Sequence, residues 1–89
     1  QALPTAADTL LIIEIADTSV AYDHDIKLPA YARSGIPEVW LAEILAETVT
    51  AHTEPANGVY GSVRTYRRGD SITPLHFPDL SIEVASLLG

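Results

Sequence analysis

Apolar positions along the chain change their period several times, and each change marks an element. Leu10-Leu11-Ile12-Ile13-Glu14-Ile15-Ala16 is a nearly continuous aliphatic run, the pattern of a strand buried on both faces, and it predicts a strand over Thr9 to Ala16. Asp17-Thr18-Ser19 breaks that run. Ser19 or Asp23 then supplies the N-cap of a helix reaching Arg33 or Ser34, where Gly35 provides a left-handed stop. Pro29 has no N–H and clashes with the preceding turn, so the helix is expected either to start close to Lys27 or to kink. Ile36 to Glu43 reads as a second strand. A strand, helix, strand order implies a right-handed crossover with the two strands parallel.

The second half is punctuated by turns. Thr48 to Thr53 is a β-branched strand, Asn57-Gly58 a turn signal, and Val59 to Arg67 a strand returning from it. Arg68-Gly69-Asp70 turns into a short strand near Ser71 to Thr73, Pro74 to Asp79 is irregular, and Leu80 to Leu88 fits either a strand or a short terminal helix. The expected class is α/β, a crossover unit followed by antiparallel hairpin strands. The chain has no internal repeat and no low-complexity segment.

One position violates the pattern. A carboxylate inside an aliphatic strand costs several kcal/mol or more unless it is paired or ligates a metal, and Glu14 is such a carboxylate. The plainer alternative is that it lies near the strand end and faces solvent or a neighbouring cation. Placed at the carboxyl end of a central strand, Glu14 would be joined by Asp17-Thr18-Ser19 and by Asp23, Lys27 and Tyr31, which recur every four residues on one helix face. Sites in open α/β sheets gather beyond the carboxyl ends of strands. Against this, Asp23 and Lys27 also make an ordinary exposed helix pair, and a tyrosine at such spacing is more often core than site.

Charge and composition narrow the choice. The 89 residues form one small domain, 1–89, with a net charge of −7, which opposes nonspecific nucleic-acid binding because that affinity comes from Lys and Arg neutralising phosphates. Lys27 and Arg33 are the only basic residues up to Glu54, whereas Arg64, Arg67 and Arg68 balance Asp70, Asp79 and Glu83 beyond Pro55. These three arginines can touch phosphate or simply solvate a sheet edge. No cysteine is present, excluding disulfides, thiolate zinc sites and a cysteine nucleophile. His24, His52 and His76 lack zinc-ligand spacing. No apolar run approaches the ~18 residues of a membrane span, and no signal segment is visible, so a soluble, cytoplasmic protein is expected. The opening Gln-Ala-Leu-Pro lacks Met and reads as the start of a cut fragment.

A resemblance runs through these same residues. Leu11 to Ser19, Tyr22-Asp23, Lys27-Leu28-Pro29, Tyr31-Ala32-Arg33, Gly35 to Leu41, Tyr66 to Asp70, Phe77-Pro78-Asp79-Leu80 and Leu87-Leu88-Gly89 together resemble the C-terminal part of the Uma-type family of restriction-endonuclease-like proteins. The resemblance implies a PD-(D/E)xK-like mixed sheet, Mg²⁺ or Mn²⁺ as cofactor, DNA as partner and phosphodiester hydrolysis as activity. Glu14 matches the second metal-binding acid and is the expected metal ligand. Ala16 stands where the motif has lysine, and Lys27 on the following helix takes that role, with Asp17 and Asp23 as lesser candidates.

The family's first acid lies in a Pro-Asp pair on an upstream strand that has no counterpart here. Asp8 is no substitute, since six residues of strand separate it from Glu14 by roughly 20 Å; it reads as a residue at the start of the strand. The N-terminal part of the core is thus expected to be absent, activity to be weak or missing, and the exposed sheet edge to be covered by a second copy in a homodimer. The alternative is a noncatalytic interaction module on the same fold.

Overall fold

The computed structural model describes residues 9–16 and 20–89, the stretch 20–26 by its backbone alone. Asp8, Asp17, the proposed caps and the side chains of Asp23 and His24 lie outside the described residues. The elements are β1 (Ile12–Ala16), α1 (Val20–Arg33), β2 (Glu38–Glu43), β3 (Thr48–Ala56), β4 (Val59–Arg67), β5 (Ser71–Ile72), β6 (Ile82–Glu83) and α2 (Val84–Leu88). The order of the main sheet is β1-β2-β3-β4, with β1 and β2 parallel and the other pairs antiparallel; β5 and β6 form a separate two-stranded sheet. This is the expected mixed α/β arrangement, a crossover followed by a hairpin, and it is compatible with a nuclease-like fold.

Three expectations are corrected. β1 is an edge strand of the described sheet rather than a central one. Its aliphatic run is accordingly not buried on both faces: Ile13 and Ile15 are 40% and 56% exposed. Second, α1 does not start near Lys27 but runs from Val20, with the proline inside, to the expected end at Arg33. A missing N–H costs one helical hydrogen bond, and packing of the helix against β2, β3 and β4 holds it in place. Third, the ambiguous terminal segment is both alternatives in turn, β6 and then α2.

The end of α1 shows why the chain reverses where it does. Gly35 has φ 77°, its N–H donates to the Ala32 carbonyl at 3.1 Å, and the Ile36 N–H reaches back to the Tyr31 carbonyl at 3.1 Å. This is a Schellman cap, which closes the helix with glycine in the left-handed region and an apolar residue after it. Ile36 is buried.

Strand alternation divides the core between the two faces of the sheet. Trp40, Ala42, Val49 and Ala51 pack with Ile72, Val84 and Leu88 on the side covered by α2. Val39 and Leu41 point the other way, towards α1. Glu38 is only 3% exposed and lies two residues from Trp40 on the same strand. Its Oε2 accepts from the Trp40 indole N–H at 2.7 Å and its Oε1 from the Leu75 backbone N–H at 2.9 Å. The carboxylate therefore fastens the irregular segment beginning at Pro74 to the sheet. On the other side, the Tyr60 hydroxyl donates to the Ile36 carbonyl at 2.8 Å, tying the β3–β4 hairpin to the residues after α1.

Two stability predictions follow from these contacts. Glu38→Ala strands two donors, each costing about 1–3 kcal/mol when left unsatisfied, so denaturant unfolding followed by Trp40 fluorescence should show a loss of about 2–4 kcal/mol. Burial pushes the Tyr60 phenol up from 10.0 to about 12. A raised folded-state value stabilises the protein fully below the unfolded value and ceases to do so as pH climbs through the folded one. Stability should fall between pH 10 and 12, with a shallower fall in Tyr60→Phe, measured by denaturant midpoints across that range.

Candidate active site

Glu14 lies in the middle of β1, in register with Leu41 of β2. That pairing puts its side chain on the α1 side of the sheet. Lys27 and Tyr31 lie one turn apart on α1 and face the same place. The Tyr31 hydroxyl donates to Glu14 Oε2 at 2.6 Å, and Lys27 Nζ lies 3.5 Å from Oε1. Glu14, Lys27 and Tyr31 line a small cleft floored by Val39 and Leu41. The carboxylate is partly open, with the Glu14 and Lys27 side chains 29% and 47% exposed.

The two contacts differ in kind. A hydroxyl on a carboxylate at 2.6 Å is a short charge-assisted bond, whereas an ammonium at 3.5 Å exceeds the usual ~2.7–2.9 Å of such bonds. Tyr31 holds Glu14, and Lys27 stands beside it. Burial, then the bond to Glu14 and the charge it carries, push the Tyr31 phenol up from 10.0 to about 12. It is therefore a hydroxyl donor throughout the neutral range.

The crossover thus brings Glu14 and Lys27 together, as the spacing suggested, and adds Tyr31, which sequence reasoning left as more often core. Its four-residue spacing from Lys27 was the available signal. Glu38 is a second functional-looking acid that the sequence reading missed, and both its oxygens are consumed by structural donors. Arg64, Arg67 and Arg68 lie on or just after β4, at the opposite edge from Glu14, three strand spacings or about 14 Å away across the sheet. Arg64 and Arg67 are an odd number of residues apart on one strand and so emerge on opposite faces. Arg68 pairs with Glu47 at 3.0 Å.

His52 on β3 contacts Thr50 and sits edge-on to Tyr60, while His76 lies in the irregular segment after Pro74. Among the described residues no three His, Asp or Glu side chains cluster to hold a metal ion. Among the described residues, Glu14 alone lines the cleft with a partly open carboxylate. A Mg²⁺ ion keeps several waters and takes one or two carboxylates together with substrate phosphates. One partly exposed glutamate with an ammonium 3.5 Å from its Oε1 offers at most a single position of such an ion, and the described lining adds no second carboxylate.

The structure is thus that of an α/β protein in which an acid on a strand is faced by a lysine from the crossover helix. The chain belongs to the Uma2 family, described as "Putative restriction endonuclease", whose family model matches residues 1–85. A comparison with curated proteins found no match. No described helix is long and apolar enough to cross a membrane.

Proposed function

We propose that the chain acts as a metal-dependent endonuclease that hydrolyses phosphodiester bonds of DNA. The observation that supports this most is the convergence of Glu14 and Lys27 on one cleft from two elements joined by the crossover. In this reading Glu14 is a ligand of Mg²⁺ or Mn²⁺ through Oε1, with Asp17 and Asp23 as further candidate ligands. Bound there, the ion would lower the pKa of a coordinated water and offset charge on the phosphate.

The chain's own residues divide the remaining work. Lys27, exposed and within reach of the same carboxylate, places a positive charge where the equatorial oxygens of the pentacoordinate transition state gain negative charge. Its long stem lets the ammonium follow the scissile phosphate from ground state to transition state. Val39 and Leu41, both buried, give the cleft a dry floor that strengthens these interactions. The β4 arginines serve as secondary phosphate contacts; Arg64 and Arg67 have no ion-pair partner among the described residues.

A second reading is favoured by one observation. The outer side of β1 is unpaired among the described residues, and Ile13 and Ile15 beside it are exposed. Such an edge accepts another strand, so the same fold would serve as an interaction module that pairs with a second copy of itself.

Supercoiled plasmid incubated with the chain and Mg²⁺ or Mn²⁺ separates the two. Weak nicking at most is expected, stopped by chelation and lowered about 100-fold or more by Glu14→Ala and by Lys27→Ala, the range seen when one transition-state-stabilising group is removed. A folded chain that leaves plasmid intact with both metals and scatters light as a dimer would replace the nuclease reading with the second one.

A further inference from the structure

The edge of the sheet farthest from Glu14 is open. β4 has no neighbour on its outer side among the described residues. Alternation puts Val59, Gly61, Val63, Thr65 and Arg67 on one face of that strand. Val59 and Val63 are 62% and 54% exposed there, in a groove shared with Leu28 and Pro29 of α1. Charged side chains ordinarily discourage a second strand from adding to such an edge, and Arg64 and Arg67 are the charges this one carries.

Beside the edge, β3 holds a residue in a backbone conformation that L side chains rarely adopt. Glu54 has φ 60° and lies between the cross-strand pairs Thr53 with Ser62 and Pro55 with Tyr60. Its side chain reaches across β4 at Gly61: a Cβ placed there would stand 3.6 Å from Glu54 Cβ and 3.8 Å from Glu54 Oε1. No side chain at 61 separates that carboxylate from the open edge. Glu54 and Arg67 are both exposed, and neither forms an ion pair among the described residues.

We propose that β4 pairs with β4 of a second copy, antiparallel about a two-fold axis at Val63, so that Glu54 of each copy meets Arg67 of the other. Val63 is the midpoint of Val59–Arg67, and this register pairs the whole strand. It sets Val63 against Val63, Gly61 against Thr65 and Val59 against Arg67. The partner's Arg67 then lies diagonally across from Gly61 on the face that Glu54 crosses, and diagonal neighbours about 7–8 Å apart are within reach of long side chains. The arginine that guards the edge in a single copy is offset by an acid of the incoming strand, twice by symmetry. On the opposite face Arg64 falls against Ser62, so no like charges stand directly opposite one another. The pairing joins the two four-stranded sheets into one, covers Val59 and Val63, and leaves both Glu14 clefts at the outer edges. It takes Arg67 from the phosphate contacts, leaves Arg64 among them, and does not depend on Glu14 binding an ion.

Sedimentation equilibrium of the whole chain tests this on the wild type, Glu54→Arg, Arg67→Glu, the double variant Glu54→Arg/Arg67→Glu and Ile15→Lys, with circular dichroism to check that each is folded. The wild type should dimerise, more weakly as salt is raised. Each single charge reversal brings like charges together and should raise the dimer Kd by about tenfold or more. The double variant exchanges both partners of each pair and should return to within about threefold of the wild type. Ile15→Lys, on β1, should leave the dimer as it is. A chain that stays monomeric up to about 1 mM, single reversals that leave Kd within about twofold, or a double variant no better than the singles would each overturn the proposal. A dimer abolished by Ile15→Lys but not by the charge reversals would also overturn it, in favour of pairing through β1.

Discussion

Parallel pairing of β1 with β2 is the constraint from which the candidate site derives. Two parallel strands cannot be joined by a tight turn, so the chain must cross over one face of the sheet, and the crossover here is α1. Whatever that helix carries on its inner side then lies above whatever β1 presents to the same face. Glu14 is presented there by its register with Leu41, and Lys27 and Tyr31 stand over it. The Schellman cap at Gly35 sets where α1 stops and β2 begins, and with it how far along β1 each helix residue falls.

The fold holds two carboxylates in strands and uses them differently. Glu38 is buried and accepts two donors, from Trp40 and Leu75, so both oxygens work within the structure. Glu14 is partly exposed and firmly engaged on one side only. Depth of burial separates the two: the deeper acid is a fastener, and the shallower one has one oxygen outside any short hydrogen bond. Unsatisfied buried polar groups are costly, so the carboxylate that can interact with something else is the one that solvent already reaches.

Charge sets the terms on which this protein meets DNA. With a net charge of −7, the chain has no broad electrostatic attraction for a polyanion. The β4 arginines lie across the sheet from Glu14, and Arg64 and Arg67 project from opposite faces, so they do not form one continuous basic stripe beside the cleft. In the proposed reading, recognition of phosphate at Glu14 would fall chiefly to Lys27 and to any ion that accompanies the substrate.

Much of this was legible before any coordinates. The bounds of β4, the Asn57-Gly58 turn, the stop at Gly35 and the parallel crossover follow from local periodicity and turn chemistry, which act over a few residues and leave their mark in the string of letters. The family resemblance, carried by the same stretches, agrees with the family match over residues 1–85. The pairing of Glu14 with Lys27 was also within reach, because a crossover helix must return over its own strand.

What stayed hidden depends on partners distant in the chain. An aliphatic run looks the same on a central strand and on an edge, and only the strand order shows that β1 is an edge of the described sheet. Pro29 argues locally against a helix that packing against three strands sustains. Glu38 is separated from Leu75 by most of the sheet, and the grip of Tyr31 on one oxygen of Glu14 is a matter of ångströms between two elements. Residue order specifies which elements form and what each one carries; their docking alone decides which oxygen of which acid is held by a short bond.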